Sequence, residues 1–522
     1  MSVQAAVLFL ALVAVTLGIT YWAGKRNKTV ESHLVARGAI SGRANGVAIA
    51  GDFISAATFL GTTGAIALGG FNGFYLAVYI PIAYLLCMLL VAEPLRNLGH
   101  FTLGDVLATR FPGSGVRAVI ATASIVVSLL YIVAQFVGAA LLVQLLFGIP
   151  YLVAALAIGV LTMIYTLFGG MIATTYIQIV KTALLLFCGA LLLALVLAKF
   201  GWNPLEVFRE AGAGNGNKAL IPTRAGAGKQ VEQFSLIFGV TLGVLGLPHV
   251  MIRFLTVKDG AAARTSAVTA IWIFACFLIT LPVVSYGAML LVTQAEIKKA
   301  SPGGNLAMPQ LADVLGGDLL LAFVSAVAFA TILAALSGLV IATTGSVAHD
   351  IYAKLIKRDH VNHHAQLRVT RIATFASVLI SMLIALAAQK QNVAFLATLA
   401  IAVAASANLP ALLFTIYWRK ATAQGIAVGM VAGLVTAVTI ILLSPTFHGS
   451  AESALLPFSS PGIVSVPIGF LVMWLVSLAT QPRGEELTAA NRTFDRIRIQ
   501  AVTGIDPDAL RTTTDSARIS SV

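Results

Sequence analysis

Thirteen apolar runs divide this 522-residue chain, and each is long enough to cross a lipid bilayer as a helix. Only 10% of the residues are charged, against about 25% in soluble domains. The runs lie at 3–23, 45–70, 74–95, 117–147, 151–168, 171–198, 234–256, 265–294, 318–347, 371–389, 393–418, 423–444 and 463–480. We therefore predict an all-α polytopic membrane protein with about thirteen transmembrane helices.

The basic residues predict the orientation of these helices. When successive loops are placed on alternate sides, 24 Lys and Arg residues fall on the side of the C-terminus and 8 on the other, with Lys181 inside a span. The positive-inside rule then predicts an N-terminus outside and a C-terminus in the cytoplasm. The net charge of +13 is therefore interpreted as topology, and neither a nucleic acid nor an obligate protein partner is expected. Since the charges follow the first apolar run, we interpret that run as a retained helix and not as a signal peptide.

The second span carries polar residues at membrane depth. Asp52 lies in the middle of it, and Ser55, Thr58, Thr62 and Thr63 fall on the same helical stripe. A charged group at this depth is costly and is usually functional. This stripe is therefore the first candidate site.

The seventh span contains helix breakers followed by a histidine. Gly243, Gly246 and Pro248 weaken helical hydrogen bonding, and His249 follows at once. The span comes five helices after the Asp52 span, which is the offset expected for two inverted repeats that each begin with a broken helix. A simple proline kink is the alternative interpretation.

Two further features lie in the sixth and ninth spans. The ninth presents a face of small residues that includes Thr331, Ala334 and Ala335, which indicates either close helix packing or an ion site. Lys181 lies about ten residues into the sixth span, where it either snorkels to the surface or meets an anion. We expect that anion to be Asp52 or a bound substrate.

Other chemistry is not indicated. The three cysteines lie in apolar segments without paired spacing, and the Gly-rich 199–232 loop lacks the full phosphate-loop spacing. Ser337 and His349 share a helix with no third partner evident, and no metal-protease motif is present. The chain is therefore not expected to be an enzyme or to hold an organic cofactor.

Four segments resemble the sodium:solute symporter family, and within it most closely the bacterial cation/acetate symporters. They are GDFISAATFLG, LFGGMIATTYIQIVK, GLPHVMIRF and AFATILAALSGLVIATTGSVAHDIY, and the resemblance runs from about Leu17 to Pro482. It implies a ten-helix core of the leucine-transporter fold with 5+5 inverted repeats. It also implies a cation site between spans two and nine, and substrate held at the two broken helices.

The resemblance implies a domain organisation as well. An extra N-terminal helix and loop (1–43) precede the first five-helix repeat (44–198), an extracellular loop (199–232) and the second repeat (233–420). Two additional helices (421–482) and a polar cytoplasmic tail (483–522) follow, with one amphipathic helix expected around residues 493–502. A multi-pass protein of the bacterial inner membrane is expected.

The family's sodium site maps onto residues that only partly suit Na⁺. The resemblance places it at the carbonyls near Ala50 and Phe53, with Asp52 beside them, and at three positions of span nine, which are Thr331, Ala334 and Ala335. Relatives place hydroxyls at the last two positions, and this chain has alanine at both. Where relatives have an acidic residue on the cation exit path, this chain has Gln178. Where they have a glutamine one turn later, it has Lys181. We therefore favour H⁺ over Na⁺ as the coupling ion, with Asp52 as its carrier, and a fixed Lys181 charge as a third option.

The leading functional hypothesis is uptake of a short monocarboxylate such as acetate, propionate or pyruvate by symport with a cation. The candidate substrate residues are Ser55, Ala57, Thr58, Lys181, His249 and Ser337. The alternatives are a Na⁺-coupled symporter of a neutral or zwitterionic solute, such as an amino acid or a sugar, and a membrane sensor.

Overall fold

The structure is a computed structural model, and it describes residues 3–24, 40–99, 101–168, 170–214, 219–222, 227–358, 360, 362–448, 455–456 and 458–507. Within these ranges the chain is helical, and its β contact is limited to one isolated bridge between Ile40 and Val257. The all-α prediction is confirmed.

The helices follow the predicted apolar runs. In chain order they are α1 (Val3–Gly24), α2 (Gly42–Phe53), α3 (Thr63–Gly69), α4 (Phe71–Cys87), α5 (Glu93–Leu98), α6 (Leu103–Ala108), α7 (Ser114–Phe147), α8 (Tyr151–Phe168), α9 (Gly170–Lys199), α10 (Pro204–Gly214), α11 (Ala227–Gly243), α12 (Pro248–Leu255), α13 (Gly260–Leu291), α14 (Gln294–Ala300), α15 (Ala307–Gly345), α16 (His363–Ala387), α17 (Val393–Tyr417), α18 (Ala423–Leu443), α19 (Pro445–His448), α20 (Gly462–Ala479) and α21 (Gly484–Thr503). Three π-helical segments join them: Ala57–Thr62, Met88–Ala92 and Ser346–Ile356.

Over the described ranges, the number of helices long enough to cross a membrane is smaller than the thirteen predicted. Among the described residues, ten helical stretches are long and apolar enough to span a membrane, and eleven when one bent pair counts as a span. The helices at Ala6–Ile19 and Tyr151–Leu167 are apolar but shorter. The protein is thus multi-pass, and the number thirteen stays a prediction.

The second predicted span is broken where the polar stripe begins. Helix α2 ends at Phe53, and Ile54 leaves helical geometry with ψ 74°. The stretch Ala57–Gly69, which is the π segment followed by α3, is bent by 53° from α2. The Phe53 carbonyl, freed by this break, accepts hydrogen bonds from Thr58 Oγ1 at 2.8 Å and Ser55 N at 2.9 Å. The local Ser and Thr residues therefore satisfy the backbone that the bend exposes.

The seventh predicted span is broken as well. Helix α11 ends at Gly243, a 3₁₀ turn follows, and Leu247 is extended before Pro248 opens α12. Proline suits this first helical position because its missing N–H would have no intrahelical partner. The amide of Asn408 on α17 donates to the freed Gly246 carbonyl at 2.8 Å. The break indicated by the sequence is thus a true interruption and not a proline kink.

The centre of the bundle is formed by α2, α7, α9, α15 and α17. Along α15 almost every side chain from Ala322 to Gly345 is buried. Gly51 lets α2 approach α9, since a methyl group there would collide with Thr182 and Gln178. This close approach of two helices lies at the place where the polar groups collect.

The polar tail forms a longer helix than the sequence indicated. Helix α21 covers Gly484–Thr503, and it buries Phe494, Ile497 and Ala501 against the end of α5 and the end of α17. The predicted segment 493–502 forms only its second half. The tail therefore packs onto the transmembrane bundle, on a side that we call the C-terminal face.

Candidate functional site

Asp52 lies in a buried ion pair with Arg253. Arg253 Nε donates to Asp52 Oδ2 at 2.6 Å, and the amide of Gln178 donates to Oδ1. Arg253 Nη1 also donates to Thr175 Oγ1 at 2.7 Å. The pair joins α2, which precedes the first break, to α12, which follows the second.

The sequence analysis missed Arg253. It lies inside the predicted seventh span, yet we counted it among the basic residues that set the orientation of the helices, and this was wrong because its side chain is 2% exposed. A charge within a span and four residues after His249 was the available signal. A charged residue inside a predicted span indicates a functional group, even when a basic loop follows closely.

Lys181 is buried without a carboxylate of its own. Its Nζ donates to the backbone carbonyl of Thr331 at 3.0 Å, which ties α9 to α15. The side chain is buried at 1% exposure, so the snorkelling interpretation is wrong. Among the described residues Thr331 Oγ1 has no hydrogen-bond partner.

The buried charges around these residues do not balance. When all three groups are ionised, Lys181 and Arg253 carry two positive charges, and Asp52 carries one negative charge. Of the helices packed against α9, α1 has no charged residue, α15 has none over residues 319–345, and the single charge of α13, Arg264, pairs with Glu93 near the end of the helix. This part of the bundle therefore holds a buried excess of one positive charge, which is costly unless an anion approaches.

The residues expected to bind a cation do come together, but most of their oxygens are engaged, and Thr331 Oγ1 is the exception among the described residues. The Ala50 carbonyl accepts from Ile54 N at 2.8 Å, and both oxygens of Asp52 accept side-chain hydrogen bonds. Ala334 and Ala335 are buried beside them and offer no side-chain oxygen. A hard cation prefers about six oxygen ligands, and these residues offer fewer free oxygens than that.

A small cavity lies at the first break. It is lined by residues of α2, the π segment, α4, α7 and α17: Phe53, Ala57, Thr58, Thr62, Leu76, Tyr79, Tyr131, Ala394, Ala397 and Ile401. It leaves about 10 Å³ for the centre of a water-sized molecule. This is the space of roughly one water molecule.

The predicted substrate residues fall into three groups around this cavity. Ala57 and Thr58 line it. Ser55 accepts from Gln135 Nε2 at 3.1 Å, and the ring of His249 packs on the lining residue Tyr131 with centroids 5.1 Å apart. Lys181 and Ser337 do not line it.

Two of these side chains have polar atoms without partners in the described part of the chain. They are Nδ1 of His249 and Oγ of Ser337, and both residues are buried. Such atoms are uncommon in protein interiors. They mark places where a ligand or water completes the hydrogen bonding.

A separate charged cluster lies on the C-terminal face. Arg117 Nη1 donates to Asp105 Oδ1 at 2.9 Å and to Asp350 Oδ1 at 3.0 Å, and His349 Nε2 lies 3.3 Å from Asp105 Oδ1. Burial raises the pKa of Asp105, but the hydrogen bonds and charges of His349 and Arg117 outweigh it and hold the pKa well below its usual range. This cluster ties α6 and α7 to the π segment that ends α15. His349 is thus a member of this cluster and not a partner of Ser337.

Comparisons with known proteins agree with the predicted family. The model of the sodium:solute symporter family matches residues 33–433. An uncharacterized symporter, YwcA, of Bacillus subtilis (strain 168) is 43% identical in an alignment of 521 residues that covers 97% of this chain and 99% of that protein.

Two solved structures share the fold. A Na⁺-coupled sialic acid symporter, in a substrate-bound outward-open state, superposes with a TM-score of 0.75 at 16% identity, over 92% of this chain and 99% of that one. Mhp1, a nucleobase-cation-symport-1 family transporter in a closed conformation, superposes with a TM-score of 0.53 at 13% identity, over 88% and 98%.

The fold has a leucine-transporter-like core. The family model and the Bacillus relative make the protein a secondary symporter and not an enzyme. The chain belongs to the sodium:solute symporter family.

Proposed function

We propose that this symporter takes up a short monocarboxylate, of the acetate, propionate or pyruvate class, together with a cation by alternating access. The observation that supports an anionic substrate is the buried excess of one positive charge around Asp52, Arg253 and Lys181. A carboxylate entering the bundle would neutralise that excess. A neutral solute would leave it in place.

The lining of the cavity at the first break suits a small carboxylate, and the cavity must widen beyond its present space of roughly one water molecule to admit it. Its walls are apolar and aromatic apart from the hydroxyls of Thr58, Thr62, Tyr79 and Tyr131. The hydroxyls of Thr58 and Thr62 donate to the carbonyls of Phe53 and Ala57, so the tyrosine hydroxyls are the donors left for a carboxylate head group. The alanines of α17 suit a short alkyl group. His249 supports the position of Tyr131 by packing on its ring.

For the coupling ion we favour H⁺ over Na⁺. Asp52 is the carboxylate at the centre of the site, and its protonation would remove the charge that holds Arg253. The proposal thus links proton binding to the contact between α2 and α12. Na⁺ coupling of a neutral or zwitterionic solute is the second candidate, and the Na⁺-coupled sialic acid symporter that shares the fold favours it.

We also propose the orientation of the protein. The C-terminal face holds Arg110, Arg117, Arg264 and Arg419, and we propose that this face is cytoplasmic in a bacterial inner membrane. A reporter enzyme that is active only outside the cytoplasm, fused after Val522, tests this orientation. We expect the fusion to be inactive, and an active fusion would contradict the proposed orientation.

The experiment on transport is uptake of ¹⁴C-acetate into proteoliposomes with independently set pH and Na⁺ gradients. We expect accumulation that follows an inward H⁺ gradient, and competition by unlabelled propionate and pyruvate. Competition by amino acids or sugars, without competition by monocarboxylates, would contradict the proposed substrate class.

A further inference from the structure

We infer that the ammonium group of Lys181 takes the place of a sodium ion between α2 and α15, so that uptake needs no Na⁺. The inference rests on the proposed symport of a monocarboxylate, and it states that Lys181 replaces the Na⁺ expected from the family. The evidence is the position of Lys181 Nζ and the chemistry of the surrounding hydrogen-bonding groups.

Helix α9 spans the space where the cation site is expected. Its Gln178 side chain reaches α2 and donates to Asp52, and one turn later Lys181 reaches α15 and donates to the Thr331 carbonyl. Thr182 of the same helix donates to the Val47 carbonyl of α2 at 3.2 Å. Side chains of α9 therefore make the α2 and α15 contacts that a bound ion would otherwise make.

The Thr331 carbonyl cannot serve Lys181 and a sodium ion without strong repulsion. Nζ lies 3.0 Å from that oxygen. An ion on the same oxygen at roughly 2.4 Å, as hard cations bind, would lie within roughly 5.5 Å of Nζ. Two positive charges so close inside a protein weaken ion binding by roughly 100-fold or more.

The remaining groups do not offset this repulsion. Asp52, the nearest carboxylate, already pairs with Arg253, so a sodium ion would meet two positive side chains and one negative one. Ala334 and Ala335 provide no oxygen to pull the ion away from Lys181. The site therefore already contains its cation, which is covalently attached through α9.

The test compares wild type with three variants. Lys181→Arg keeps a fixed charge, Lys181→Met removes it, and the triple variant Lys181→Gln/Ala334→Ser/Ala335→Ser removes the charge and adds two hydroxyls. Lys390→Met is the matched control because Lys390 is exposed. Thermal melting of each purified protein in NaCl and in choline chloride at equal ionic strength reports Na⁺ binding independently of any substrate.

We expect wild type and Lys181→Arg to melt at the same temperature in both salts, and acetate uptake by wild type to differ by less than about 2-fold between them. We expect Lys181→Met to lose at least about 10-fold in uptake, and Lys390→Met to keep it. The triple variant is expected to gain a Na⁺-specific rise in melting temperature.

A Na⁺-specific stabilisation of wild type, or co-accumulation of ²²Na⁺ with acetate, would overturn the inference. So would full uptake by Lys181→Met. Failure of wild type to exchange labelled for unlabelled acetate across the membrane would instead refute the proposed substrate, and the melting comparison would still decide whether Lys181 excludes Na⁺. If the triple variant does not fold, the wild-type salt response and Lys181→Met carry the decision.

Discussion

Arg253 Nε lies 2.6 Å from Asp52 Oδ2, and this ion pair, with side chains 2% and 7% exposed, joins the half-helices on either side of the two chain breaks. Helix α2 ends one residue after Asp52, and α12 begins five residues before Arg253. The pair therefore ties the two broken helices to one another close to the points at which each is interrupted.

Neutralising one partner of this pair should destabilise the protein more than neutralising both. Asp52→Asn leaves Arg253 without its direct partner and Arg253→Gln leaves Asp52 without its own, and breaking a buried ion pair in this way costs about 3–5 kcal/mol. The double variant Asp52→Asn/Arg253→Gln removes both charges, and we expect it to recover part of that loss. Melting temperatures of the four proteins form a double-mutant cycle, and additive losses in that cycle would contradict the coupling.

The sequence predicted the helices and both breaks because hydropathy and helix breakers are local signals. Asp52 and Pro248 stand out in apolar runs on their own. The partner of Asp52 was not predictable in the same way, since Arg253 is about two hundred positions away and lies near a basic loop. Likewise, the Thr331 carbonyl that accepts from Lys181 is a backbone atom, and no residue type in the sequence marks it. Packing decides such contacts, and hydropathy does not report packing.

The size of the cavity should set the chain length of the substrate. Ile401 of α17 lines it, and Ile401→Ala removes three carbon atoms from its wall. We expect the variant to gain about 10-fold or more in kcat/KM for butyrate relative to acetate, since one methylene in an apolar pocket changes discrimination by about 10–200-fold. The measurement is initial uptake over a carboxylate series, with Val435→Ala, an exposed position of α18, as the control. An unchanged chain-length profile would place the substrate elsewhere.

The cluster on the C-terminal face should make stability depend on acid pH. Burial raises the pKa of Asp105, but His349 and Arg117 outweigh it and hold the pKa low, so its charged form stabilises the folded protein at neutral pH. This contribution is present above the ordinary carboxyl pKa of about 3.9, and it is lost as the pH falls through the lower pKa of the folded state. We therefore expect Asp105→Asn to lower the melting temperature at pH 7, by a free energy of about 1.5–3 kcal/mol, and the difference from wild type to shrink progressively below about pH 4. A constant difference down to pH 3 would show that another group carries the effect.

Two arginines beside the tail helix α21 differ in burial. Arg110 is buried, burial lowers its pKa only to about 10, and it is therefore charged at pH 7. Its guanidinium donates to five backbone carbonyls at the end of α17 and the turn after it: Phe414, Thr415, Trp418, Arg419 and Ala421. It also lies 4.6 Å from the ring centre of Phe494 on α21. Arg419 pairs with Asp495 of the same tail helix, but both side chains are about half exposed.

Arg110→Ala should therefore destabilise the protein far more than Arg419→Ala. Losing Arg110 leaves several carbonyls without a donor at a helix end, which costs about 3 kcal/mol or more. Losing Arg419 breaks an exposed pair worth about 0–1 kcal/mol. Melting temperatures and limited proteolysis of α21 measure both effects, and we expect the tail to be cleaved faster in Arg110→Ala alone. Equal shifts in the two variants would mean that the surface pair, and not the buried arginine, holds α21 against the bundle.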